Sequence, residues 1–174
     1  MTRWNDEVWQ RRIQSVISMY TLSNRQVGRT DGSVMFAQAT LELLCWRFLV
    51  EEGPYLTLQG FQNLNASQKI RLLLAQCQIP VDIPADLGAL ASLPNLRPQD
   101  GPTALTRVRN RIVHPPTNPS QELINIDQIF EAWLLSQWYT ELILLRFFGY
   151  EGEYVNRVDR QRQWAGDVEL VPWA

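Results

Sequence analysis

His114 is the only histidine in the chain, and it closes the run Arg107-Val108-Arg109-Asn110-Arg111-Ile112-Val113-His114-Pro115-Pro116. Histidine is the side chain whose ordinary pKa lies nearest neutrality, which makes it the natural proton carrier. Arginine keeps its charge at any working pH, and its planar fork of donors matches phosphate oxygens. Together at one helix end they supply what phosphodiester cleavage needs: a proton carrier and cations for the phosphate. The same residues also have a plainer use. A histidine or arginine in a last helical turn complements the dipole and caps free carbonyls.

Spacing sorts the candidates. At 100° per residue, Arg107, Arg111 and His114 fall close to one face, while Arg109 lies about 140° from His114. The wheel pairs Arg107 with His114. Arg109 stays open, because His114 occupies the final turn and arginine is long.

The helix carrying these residues has both ends marked. Asp100 suits its N-cap and Pro102 its first turn. It must stop near His114, because the residue before a proline disfavours the α region. Earlier in the chain, helical spacing of apolar residues predicts a helix over 4–27, and a second, apolar on nearly all sides, over 33–52. Within the second, Glu42 is out of place. It either pairs locally or orients an arginine or the histidine of the site. Residues 55–65 read as a loop. Asn65-Ala66-Ser67-Gln68 has the form of a capping box for a third helix to about Cys77. From Ile79 to Gln99, four prolines leave an ordered connector with at most one helical turn near 85–93.

After the site, Asn118-Pro119-Ser120-Gln121 signals a fifth helix, running to Gly149. Tyr150 to Val155 and Asp167 to Pro172 read as two short strands flanking an arginine-rich turn. The expected architecture is mainly α: an up-and-down bundle of about five helices over 1–149, with a small β appendage over 150–174 packed on the same domain.

Composition sets further limits. A chain of 174 residues, 45% hydrophobic, fits one domain with a sizeable core. A net charge of −2 excludes a generally basic nucleic-acid binder. The cations are lopsided, however: Lys69 is the only lysine, and arginines cluster at 107–111 and 157–162. Cys45 and Cys77 lack the spacing of a zinc site and read as buried thiols. Neither a signal peptide nor an uninterrupted apolar span is evident, which suggests a cytoplasmic protein with no membrane association.

The segment Arg109-Asn110-Arg111-Ile112-Val113-His114 resembles the Arg-x(4–6)-His motif of the HEPN superfamily, in its common form with a polar residue after the arginine. The order of elements is similar too: two central helices, a helix closed by the motif, then a long helix. The resemblance covers most of the chain, and the run from Ala104 onward looks like HEPN domains of bacterial defence and toxin–antitoxin proteins. It implies a metal-independent endoribonuclease that needs no cofactor and works as a homodimer. Arg109 and His114 of two protomers would meet in a composite site, with Asn110 positioning the pair or the phosphate. His114 would move a proton at the ribose 2′-OH or the leaving 5′-oxygen, and Arg109 would hold the scissile phosphate. The products would be 2′,3′-cyclic phosphate ends. Arg107 and Arg111 would contact the RNA backbone. A toxin or antiviral effector, governed by an antitoxin or a sensor domain, is the implied role. The alternative is a non-catalytic HEPN-like module that dimerises or binds a nucleotide, RNA or protein, as the C-terminal part of a larger defence protein.

Overall fold

Side-chain caps set most of the helix starts. The computed structural model describes residues 7–25, 31–53, 55–114, 123–159, 164 and 166–174. Among these, α1 spans Glu7–Arg25 and α2 spans Asp31–Trp46, continuing as a π-helical segment, Arg47–Glu52. Then follow α3 (Leu58–Asn63), α4 (Ala66–Gln76), α5 (Gly88–Ala91), α6 (Gly101–Val113) and α7 (Ile126–Phe147). Two short strands, β1 (Glu153–Tyr154) and β2 (Glu169–Leu170), pair antiparallel, Glu153 opposite Leu170. The protein is a helical bundle with a small β appendage.

Helix α2 is the centre of the bundle and packs against α1, α4, α6 and α7. Leu41, Leu44 and Cys45 on it are fully buried, as are Leu135, Tyr139 and Leu142 on α7. Each such large apolar side chain contributes about 1.5–3 kcal/mol on burial. With its π-helical continuation, α2 is the one described helix long and apolar enough to cross a membrane by length and composition. Its four helical neighbours account for the apolarity. Ser23 ties three helices together: its Oγ accepts from Trp133 Nε1 (3.1 Å) and Gln137 Nε2 (2.6 Å) and donates to the Ser33 carbonyl (2.8 Å).

Two elements differ from the sequence reading. Within the expected loop 55–65, Thr57 caps α3 by accepting the Gly60 N–H at 3.1 Å. The long helix begins at Ile126, where Asn125 and Gln128 form a full capping box. The cap expected at Asn118 lies outside the described residues, as do Pro115 and Pro116. Other expectations match: the Asn65–Gln68 capping box opens α4, and Gly149, at φ 69°, follows the end of α7.

The N-terminus of α6 is pinned by three contacts. Asp100 accepts the Thr103 N–H at 2.9 Å, and Arg71 of α4 donates to the same carboxylate at 2.7 and 3.1 Å. Gly101 lies so close to Tyr139 that a Cβ there would meet the phenol oxygen at 2.3 Å. Burial pushes the Asp100 pKa up, but hydrogen bonds from Arg71 and Thr103 outweigh it and hold the carboxyl below its ordinary value. A lowered carboxyl pKa gives stability that is present above the unfolded value, about 3.9, and lost as pH falls through the folded one. We expect Asp100→Ala to cost about 2–4 kcal/mol at neutral pH, combining a lost cap with a broken ion pair. Denaturant titrations should show this gap shrinking below about pH 4. A gap that persisted in acid would mean that the ionised carboxylate is not what holds α6.

A cationic cleft on helix α6

Helix α6 is two-faced because its sequence is. Ala104, Leu105 and Val108 are buried, with Ile112 packed beside them. On the other side Thr103, Thr106, Arg107, Asn110, Arg111 and His114 line an open cleft of ≈ 570 Å³. Those six positions are spaced at three and four residues, the repeat of one helical face. Asn95 and Arg97 of the connector, together with Ser67 at the start of α4, complete the wall.

Among the described residues, those lining the cleft include three arginines and a histidine but no carboxylate. Asp100 lies at the base of the same helix and is held by Arg71. Among the described residues, Arg97 and Arg107 have no carboxylate within ion-pair distance. Two hydroxyls have spent their protons, Ser67 on Asn65 Oδ1 and Thr106 on the Pro102 carbonyl, while Thr103 accepts from Arg71 and keeps its own. What remains for a ligand is guanidinium, amide, imidazole and one hydroxyl, a set suited to phosphate oxygens.

His114 is the C-cap of α6; its backbone N–H bonds to the Asn110 carbonyl at 2.8 Å. Its side chain is exposed and has no hydrogen-bond partner among the described residues. Arg109 is not among the cleft-lining residues. It lies on the flank of α6, where its Nη1 donates to Asn110 Oδ1 at 3.2 Å. That bond fixes the amide's orientation and leaves Asn110 Nδ2, a donor, as its free end. Within one chain the structure therefore groups Arg107, Arg111 and His114, as the wheel did, adds Asn110 to them, and sets Arg109 behind Asn110.

Glu42 stands apart from the cleft. It is half-buried on α2 and accepts Gln38 Nε2, one turn earlier on the same helix, at 3.3 Å. Arg157, from the second arginine cluster, bonds to Glu141 and to Tyr20 Oη (3.1 Å) and lies 5.6 Å from the Trp133 ring. It clasps the tail to the bundle. Arg160 and Arg162 lie outside the described residues. Arg97, Asn95 and Ser67 were missed by sequence reasoning, because only the packing of the connector and α4 brings them to α6.

If the cleft is an anion site, its affinity should follow the lining. We expect Arg107→Ala to weaken binding of short inorganic polyphosphate about tenfold or more, the cost of one charged hydrogen bond. Arg109→Ala should weaken it less than about threefold. Calorimetric titration at low salt distinguishes these; the opposite order would place the anion on the flank.

The chain is similar to known proteins along nearly its whole length. The family model described as the YopA C-terminal domain matches residues 6–169. One relative is the SPbeta prophage-derived uncharacterized protein YopA of Bacillus subtilis (strain 168), 31% identical over 172 residues. That alignment covers 97% of this chain but 37% of the relative, so the chain spans little more than a third of the protein it matches. No solved structure matches.

Proposed function

The chain belongs to the YopA C-terminal domain family, and from that premise and the cleft we propose that it is a metal-independent endoribonuclease of the HEPN type. The observation that carries the reading is the α6 face, where Arg107, Asn110, Arg111 and His114 line one cleft with no carboxylate among the described residues. An RNA backbone laid along this face meets cations at its phosphates and one imidazole. His114 takes the proton of a ribose 2′-OH as its oxygen attacks phosphorus; the leaving 5′-oxygen takes a proton from water in the open cleft as the P–O5′ bond breaks, and the imidazolium returns its proton to solvent. Arg107 and Arg111 stabilise the charge that builds on the phosphate oxygens. The products are a 2′,3′-cyclic phosphate and a 5′-OH.

Arg109 has a distinct place in this reading. It is not among the cleft-lining residues and orients Asn110. In a HEPN-type arrangement it is offered to a second protomer, as part of a two-fold homodimer with composite sites. A prophage-derived relative fits a toxin or antiviral effector acting in the cytoplasm. In that relative the matched region is a minor part of a longer chain, which leaves room for a sensor or partner-binding region.

A second reading is an RNA-binding module without cleavage. It is favoured by one observation: the His114 ring is exposed and no neighbour among the described residues orients it.

Purified protein with mixed-sequence RNA in EDTA should yield fragments with cyclic-phosphate ends. His114→Ala should lower the rate by at least about a hundredfold, the scale of a general acid–base contribution, with the melting temperature unchanged. Arg109→Ala and His114→Ala chains, each inactive alone, should regain part of the activity when mixed. RNA binding without cleavage in the wild type would select the module reading. No regain on mixing would confine the chemistry to one chain.

A further inference from the structure

Beside the cationic cleft lies a second, narrower cavity of ≈ 290 Å³. The two share Asn95, Arg107 and Arg111. Leu93, Pro94, Leu123 and Ile124 supply its apolar walls, and Gln128 of α7 its second amide. Its size is at the low end of the range for small-ligand pockets, about 300–1,000 Å³, so it suits one ring system rather than a stacked pair.

The polar atoms here have a definite orientation. Gln128 is buried at 4% exposure, and its Oε1 accepts the Asn125 N–H at 3.0 Å in the capping box. A backbone N–H can only donate, so the acceptor end of this amide is fixed on Asn125. Nε2, with no partner among the described residues, is the end Gln128 has left for a ligand. Asn95, held at φ 56°, adds an amide on the wall shared with the cleft. Apolar walls, guanidinium planes and convergent amides are what an unstacked nucleobase requires.

We propose that this cavity is a nucleobase subsite: it takes the single base beside the phosphate held in the cleft, and Gln128 and Asn95 read its edge. Because Gln128 presents donors, the subsite favours bases with a keto oxygen, uracil and guanine, over those with an amino group at that edge, cytosine and adenine. This rests on the RNA reading of the cleft, and it assigns that reading a sequence preference.

The test is calorimetric binding of uridine monophosphate, cytidine monophosphate and ribose 5-phosphate to the intact chain. Uridine monophosphate should bind about tenfold tighter than ribose 5-phosphate, the gap that two added contacts would make, and tighter than cytidine monophosphate. Gln128→Glu keeps the acceptor for Asn125 and so preserves the cap, but replaces the donor with an acceptor. It should reverse the uridine-over-cytidine ratio, a comparison in which the added charge cancels. Asn95→Gly tolerates the positive φ and should narrow the ratio of uridine monophosphate to ribose 5-phosphate affinity. Ribose 5-phosphate binding as tightly as both nucleotides would overturn the subsite and leave the cleft standing. No binding by any of the three would overturn both. A uridine preference untouched by either variant would place the base elsewhere and overturn the assignment.

Discussion

The Asp100 carboxylate is the fixed point from which the cleft is built. It caps α6 through Thr103 and receives two hydrogen bonds from Arg71 of α4. The group that starts the helix is thereby tied to a neighbouring one. The apolar face of α6 then sets its rotation. A turn by one residue, about 100°, would drive Arg109 toward the core and Val108 out of it. Burying an unpaired guanidinium is far more costly than any gain available at the surface. Start point and rotation together dictate that residues 103, 106, 107, 110, 111 and 114 share the open side.

The arginines divide by what surrounds them. Arg47, Arg71 and Arg157 each face a carboxylate and act in structure: Arg47 on Glu51, Arg71 on Asp100, Arg157 on Glu141. Arg97 and Arg107 face none among the described residues and converge on one cavity. A net charge of −2 hides this, because no described acidic residue lines the cleft. Local potential follows from where charges are left uncompensated, and focusing in a concave site strengthens it.

What was legible in the sequence was local. Asp100, Pro102 and the Asn65–Gln68 pair announce helix starts within four residues, and the structure follows them. The wheel separated Arg107 from Arg109 because 100° per residue is a property of the backbone alone. The start of α7 was less legible: two stretches, at 118 and at 125, carry the same signature, and only Asn125 falls within the described structure as a cap. Thr57 was overlooked because a six-residue helix gives too short a period to detect. Asn95, Arg97 and Gln128 carry no signal near the site in sequence. They reach it through the path of a proline-rich connector and the packing of α7, which no pattern along the chain encodes.

The clasp between Tyr20, Glu141 and Arg157 has a consequence for how the protein is made. Its members come from α1, α7 and the segment after β1, so Tyr20 of α1 waits for a partner made 137 residues later. On a ribosome, Arg157 emerges long after α1 and α2 have left the exit tunnel. Until then Glu141 and the Tyr20 hydroxyl lack their cation, and the Trp133 face that Arg157 covers is open to solvent. A product cut short before this residue displays an uncovered aromatic surface of the kind that chaperones and proteases recognise. The clasp thus forms only once translation has passed Arg157.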